Sequence, residues 1–246
     1  MLKDKNIIVT GAGGGIGKAM VRLFVEKGAH VWACCRKPKQ ETDDFFKQIN
    51  QIQPGAIDEV YFDMRNTSEI SSAVKTIISQ KKPIHGLVNN SATLSENQLF
   101  LMTPLSTIRD VFEVNFFAQV ALTQLVVKNM IRYPEIEHSI VNITSIAALD
   151  GEPGQLEYVA SKAAMIGMTK KLARELSSYQ IRVNAIAPGL TETKMISSMT
   201  QDYRHNILAK SIGAKIGKPE EIAHIASFLL SEESMRINAQ VIRADG

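Results

Sequence analysis

Cysteine is almost missing from this 246-residue chain: there are two, Cys34 and Cys35, and they are adjacent. Neighbours on a strand point to opposite faces, so the pair makes a poor disulfide, and it offers no metal-ligand spacing. A reducing, cytoplasmic compartment is the simplest expectation. Charge of one sign is lacking as well. The formal net charge is +3, and no basic run exceeds a pair such as Lys81-Lys82 or Lys170-Lys171. That argues against a nucleic-acid partner. No stretch approaches the roughly 20 apolar residues of a membrane span. The run Ile7-Ile8-Val9-Thr10 before the first glycines is too short for the core of a secretion signal. No Pro/Ser-rich linker, low-complexity tract or internal repeat divides the chain. With 45% hydrophobic and 22% charged residues, it reads as one ordinary globular domain over residues 1–246.

What is present is a rhythm of short apolar runs and amphipathic stretches. Ile7-Ile8-Val9 suits a buried strand that stops at glycines. Ile16 to Lys27 has helical spacing and ends at Gly28, a C-cap residue. Ala29 to Cys35 reads as a second strand, which completes a βαβ unit. Helices are then expected over 45–52, 68–80, 105–131, 156–177 and 219–230, and strands over 59–62, 85–88, 139–143, 181–186 and 240–243. Pro219 fits the first turn of its helix. Residues 190–216, with Met195, Met199 and Ile207, read as a mobile substrate loop. Alternating strands and helices predict an α/β fold: a doubly wound parallel sheet of about seven strands, with helices on both faces.

The first turn carries chemistry. Thr10-Gly11-Ala12-Gly13-Gly14-Gly15-Ile16-Gly17 lies between a strand and a helix. Glycines there permit a tight turn and close approach of a pyrophosphate, and the helix N-terminus offers free N–H groups and a positive dipole end. The strand-before, helix-after context separates this cluster from a simple turn. The second strand ends in Cys34-Cys35-Arg36-Lys37, without the acid that holds the ribose 2′-hydroxyl of NAD. Arg36 can pair with a 2′-phosphate instead, which favours NADP(H) over NAD(H); a solvated basic turn is the structural alternative. Asp63 is placed to accept a hydrogen bond from an adenine amino group, or to serve as a helix N-terminal acid.

Tyr158-Val-Ala-Ser-Lys162 places a phenol and an ammonium one turn apart on one helix face, with Ser145 upstream. An ammonium close to tyrosine lowers its pKa from about 10, so the pair suits proton exchange with a substrate oxygen. Taken alone, the pattern is as well explained by a surface tyrosine beside a solvated lysine. Trp32 reads as packing, and the ten methionines mostly as core or lid. His138 and His205 show no ligand spacing and read as surface or satisfied core positions, with no metal site expected. Asp150 and Glu157 read equally as acids near the site or as loop and helix-start residues.

Together these residues resemble the short-chain dehydrogenase/reductase family over essentially the whole chain. The Thr-Gly-x-x-x-Gly-Ile-Gly pattern matches Thr10 to Gly17 in full. The Asn-Asn-Ala-Gly segment appears as Asn89-Asn90-Ser91-Ala92, with two departures. The family's active-site set falls on Asn115, Ser145, Tyr158 and Lys162, and its Pro-Gly-x-x-x-Thr cofactor loop on Pro188, Gly189 and Thr193. The resemblance implies that Gly11, Gly15, Ile16, Gly17, Arg36, Asp63, Asn89 and Asn90 contact the cofactor. It also implies that Thr193 and the backbone near Thr191 hold its carboxamide. Ser145 would bind the substrate carbonyl and Tyr158 would donate the proton as hydride arrives. Lys162 would bind the nicotinamide ribose, and Asn115 would hold a water linking Lys162 to solvent. A homotetramer built on the long helices is also implied.

Within that family, Asn184 to Met195 and Gln240 to Gly246 are similar to 3-oxoacyl-carrier-protein reductases. The expected substrate is a small-molecule ketone or acyl thioester. Tyr179-Gln180 stands where that branch has a basic residue, and Arg132-Tyr-Pro-Glu-Ile-Glu-His138 is acidic for a carrier-docking face. A sugar or other small ketone therefore remains open. A cofactor-sensing protein without turnover has no need of Ser145, Tyr158 and Lys162. A sugar-nucleotide epimerase would need a longer chain.

Overall fold

Ile7, Ile8 and Val9 are all fully buried, although neighbours on a strand face opposite ways. Both faces of their sheet must therefore be covered, and the structure shows how. The computed structural model describes residues 2–197, 207–209 and 211–246. Met199 and His205 lie outside these residues, as does the middle of the expected substrate loop. Among the described residues, seven strands run parallel in the order β3-β2-β1-β4-β5-β6-β7. They are β1 (Asn6–Thr10), β2 (His30–Cys35), β3 (Ile57–Tyr61), β4 (Gly86–Asn89), β5 (His138–Ile143), β6 (Ile181–Pro188) and β7 (Val241–Ala244).

Helices α1 (Gly15–Glu26), α2 (Gln40–Ile52) and α9 (Pro219–Leu230) cover one face. Met20, Phe24, Phe46 and Leu229 pack there against Ile7, Val9 and Val31. Helices α3 (Thr67–Ser79), α5 (Ala118–Met130) and α7 (Leu156–Glu175) cover the other. Ile70, Val74, Leu122 and Val126 pack there against Ile8, Trp32 and Leu87. Each fully buried aliphatic or aromatic side chain contributes roughly 1.5–3 kcal/mol. Trp32 is packing, as its sequence context implied, and its indole N–H donates to Gln80 Oε1 at 3.0 Å. His138 is a satisfied core residue, 1% exposed, between the carbonyls of Ile84 and Tyr133. Met102 and Met235 are 71% and 50% exposed, outside the core that holds Met20 and Met130.

Several boundaries differ from the sequence reading. α2 starts at Gln40, five residues before its apolar stripe, because Glu41 and Asp43 in its first turn suit the positive dipole end. β3 is set by its pairing with β2 from Val31↔Ile57 to Cys35↔Tyr61, so Phe62 and Asp63 fall beyond it. Asn66 caps α3 by accepting from the N–H groups of Ser68 and Glu69. A short helix, α6 (Ala147–Asp150), follows Ser145, and another, α8 (Lys194–Ser197), follows Thr193.

The helix expected over 105–131 is not uniform. α4 (Leu105–Phe112) passes into α5 through a π-helical turn, Glu113–Phe117. The wider turn shifts the inward face, so that Val114, Asn115, Ala118 and Gln119 are all buried. By length and mean hydropathy, 1.2 over its most apolar window, Leu105–Met130 would be long and apolar enough to cross a bilayer. Its inner face is instead committed to the sheet through Leu122, Val126 and Met130, each no more than 1% exposed.

The sheet order reverses between β1 and β4, where ligands bind in open α/β sheets. The glycine turn fits there because side chains would not. A Cβ on Gly17 would lie 2.1 Å from the Gly11 carbonyl oxygen and 2.8 Å from Ala12 Cα, both backbone. Gly17→Ala should therefore destabilise the protein by about 3 kcal/mol, the upper range for overpacking. For a chain of this size that lowers the melting temperature by roughly 6–12 °C, which a calorimetric or circular-dichroism melt checks.

Candidate active site

The switch point is closed by one hydroxyl. Thr10 Oγ1, at the end of β1, accepts hydrogen bonds from the N–H groups of Asn90 and Ser91, each at 2.9 Å. It donates to Val88 O at 3.3 Å. Asn90 returns the contact through its side-chain amide, to Thr10 O at 2.9 Å and Gly11 O at 3.2 Å. The glycine turn and the segment after β4 are thus held together at the floor of a cavity of about 530 Å³.

That cavity runs across the C-terminal ends of the strands. Arg36 and Asp63 line it beyond β2 and β3; Gly11, Gly15, Ile16 and Gly17 line it after β1; Asn90 lines it after β4. Ser145 and Tyr158 line it beyond β5, and Pro188, Gly189, Thr191 and Thr193 beyond β6. β2 and β5 are three strands apart, or about 14 Å at the usual spacing. That separation suits a dinucleotide lying across the strand ends.

The residues present fit such a group. Gly14, the N-cap of α1, has no side chain to occupy the first-turn N–H groups, leaving them for a pyrophosphate. A Cβ on Gly15 would meet Thr193 Cγ2 at 2.8 Å, so the segment after β6 folds down over the glycine turn. Thr191 is buried and donates to Gly189 O at 3.1 Å. Ala92 adopts no left-handed backbone, so alanine is tolerated where the family has glycine.

Asn89 does not join the cavity. It is 1% exposed, and its amide donates to Thr123 Oγ1 at 3.0 Å and Asn142 Oδ1 at 2.8 Å. As the last residue of β4 it faces the helices, opposite in sense to Asn90, so its part is to fix neighbouring elements. Asp63 stands before the cap of α3, not in its first turn. It lines the cavity, and its carboxylate accepts from Arg65 N at 2.9 Å in a turn that leads into α3. Cys35 lines the cavity where an acid would otherwise stand, its thiol pushed up to about 11, mainly by burial.

α7 presents Tyr158 and Lys162 on one face, with Lys162 Nζ 5.8 Å from the Tyr158 ring centroid. Tyr158 is partly exposed through the cavity wall. Its phenol nevertheless lies above the ordinary value, because burial penalises the phenolate; the hydroxyl of Ser145 donates to it and pulls the other way. The sequence reading expected Lys162 to lower this value. In the structure Lys162 is 2% exposed and its ammonium donates to Ile143 O at 2.8 Å. Burial pushes Lys162 itself down to about 8.

Asn115 sits in the π turn and does not line the cavity. Its Oδ1 accepts from Thr93 N at 2.7 Å; its Nδ2 donates to Thr93 O at 3.0 Å and Ser161 Oγ at 3.2 Å. Its side chain is committed to holding the segment after β4 against α7. Thr93 and Gln119 were missed in the sequence, and Thr10 and Ser161, though inside quoted motifs, were given no role. Their partners are distant in the chain, and local spacing does not reveal them.

Lys162 makes stability depend on pH. The unfolded chain holds this proton up to about 10.4, while the folded protein releases it near 8. Between those values the unfolded state binds more protons, so this group makes stability rise with pH. Lys162→Met, which removes the buried charge, should give its greatest relative gain at pH 7 and lose that advantage toward pH 10. Urea denaturation of both proteins across that range measures the difference.

The sequence matches the model of the family described as short chain dehydrogenase over residues 5–204. The chain is 37% identical to the 3-oxoacyl-(acyl-carrier-protein) reductase FabG of Thermotoga maritima, covering 100% of this chain and 98% of that protein. It is 32% identical to a 3alpha-hydroxysteroid dehydrogenase of Mediterraneibacter gnavus, covering 100% and 97%. In fold it matches a Brucella melitensis 3-ketoacyl-(acyl-carrier-protein) reductase structure complexed with NADH, at a TM-score of 0.90 and 24% identity, covering 100% and 98%. Glycine turn, switch-point cavity and full-length similarity agree: the chain belongs to the short-chain dehydrogenase family and is an NAD(P)-dependent oxidoreductase.

Proposed function

We propose that the protein reduces a ketone to a secondary alcohol with NADPH, and that 3-oxoacyl thioesters are the first substrates to test. The observation that carries this reading is the Ser145–Tyr158 pair at one end of a cavity whose other end holds Arg36. When bound, the reduced nicotinamide supplies hydride. Ser145 holds the carbonyl oxygen through its hydroxyl. Tyr158 gives its proton to that oxygen as negative charge develops there. A phenol held above its ordinary value is protonated at neutral pH and has the proton to give. Lys162, pushed down to about 8, holds a labile proton one helical turn away, from which the phenol is resupplied. Arg36, exposed just after β2 and on the cavity wall, would pair with the 2′-phosphate of NADPH.

Similarity to the Thermotoga reductase supports a 3-oxoacyl substrate. A free sugar or small ketone is the second reading, favoured by exposed Tyr179 and Gln180 where a carrier-binding reductase would have a basic residue. A homotetramer on the long helices belongs to the same proposal, with Leu105 and Phe117 59% and 53% exposed on α4 and the π turn. So does a cytoplasmic location.

Following NADPH consumption with acetoacetyl thioesters, sugars and cyclic ketones tests the function. Tight NADPH binding with no turnover of any ketone would favour a cofactor sensor. Tyr158→Phe should bind NADPH normally and lose at least about a hundredfold in kcat, the lower range for a general acid; near-normal turnover excludes Tyr158 as proton donor. Arg36→Asp should shift preference from NADPH toward NADH by about tenfold, or 1.4 kcal/mol. The ratio of kcat/KM for the two cofactors reads this directly.

A further inference from the structure

We propose that Glu157 is a positioning residue that sets substrate affinity, by tying the cavity wall after β4 to the helix that carries Tyr158. The proposal rests on the reductase reading above. Glu157 immediately precedes Tyr158 and is 1% exposed. Its Oε1 accepts from the hydroxyl of Ser95, and its Oε2 is buried with no hydrogen-bond partner among the described residues. A first-turn acid suits the dipole of α7, but the dipole would be served equally by an exposed carboxylate. Burial with a single partner calls for another explanation.

The geometry of residues 91–98 supplies it. Ser91 O accepts from Gln119 Nε2 at 2.8 Å, and Thr93 is held by Asn115; both amides come from the α4–α5 helix. Ser95 is held differently, by α7. Gln98 N donates to Gly154 O at 2.9 Å, just before the same helix. Leu94, between the second and third ties, lines the same cavity as Tyr158. Ser95 therefore sets how Leu94 stands relative to the reacting hydroxyl.

The residues that follow add no apolar anchor. Leu99, Phe100, Leu101 and Met102, which follow, are 66–93% exposed and give the segment no buried anchor. Ser95 Oγ also lies 3.5 Å from Glu96 O, too far to compete for its single proton.

The test uses wild type, Ser95→Ala, Glu157→Gln, Glu157→Ala and the double alanine variant, at saturating NADPH with an acetoacetyl thioester. Ser95→Ala should raise KM about fivefold, the value of one lost hydrogen bond, with kcat and NADPH affinity unchanged. Glu157→Gln keeps the acceptor and should match wild type. Glu157→Ala should match Ser95→Ala, and the double variant should be no worse than either. An unchanged KM in Ser95→Ala, additive losses, or Gln behaving like Ala would overturn the proposal. Hydrogen exchange on the NADPH-bound protein reads the tie without turnover: peptides spanning 91–98 should exchange faster in Ser95→Ala, and unaltered exchange also overturns it. If wild type reduces no ketone, the reductase reading fails while the exchange result still decides the tie. Ser95→Ala removes one partly exposed hydroxyl, so the test stands even where Glu157→Ala does not fold.

Discussion

The hydroxyl of Thr10 is the joint on which the site depends. It sits where the sheet order reverses, accepts two backbone N–H groups from the segment after β4, and fixes that segment beside the glycine turn. A buried N–H without a partner costs about 1–3 kcal/mol, so two such groups converging on one oxygen strongly define the crossing. Both walls of the cavity start from that point: the glycine turn and α1 on one side, residues 91–94 on the other.

From this joint the chemistry is spread out by strand order. Ends of β2 and β3 carry Arg36 and Asp63, while the end of β5 and the start of α7 carry Ser145 and Tyr158. Parallel strands put all these loops at one edge, and the spacing between strands sets the distance from Arg36 to Tyr158. The reacting end is the drier one. Burial raises Tyr158 and lowers Lys162, so both groups favour their neutral forms more than they would in water.

The π turn in the α4–α5 helix connects fold and site. Without it, Asn115 would follow the regular helical face; with it, the amide turns inward and holds Thr93 by both backbone groups. π turns arise where a helix must admit an extra residue, often beside a functional site. Leu105 to Ile131 reads as one apolar helix because its hydrophobic residues remain close enough to a 3.6 period to hide the single shift.

Sequence alone determined the parallel α/β order, the place of the glycine turn, and the shared helix face of Tyr158 and Lys162, while Ser145 was joined to them only by the family resemblance. These follow from local spacing: apolar runs of strand length, glycines where a side chain meets backbone, and four residues to a helical turn. Tertiary structure decided what depends on distant partners. Asn89 and Asn90 are adjacent and alike, yet one is buried against Thr123 and Asn142 while the other reaches the cavity, because consecutive residues leave a strand in opposite directions. Lys162 shares a face with Tyr158 as its spacing requires, but its ammonium is taken by the Ile143 carbonyl, and burial holds the phenol above its ordinary value. Glu157 could be read as a surface acid at a helix start until Ser95, 62 residues away in the chain, was found against it. Spacing along a chain fixes which side chains share an element, and only packing between elements fixes the solvent and partners each one meets.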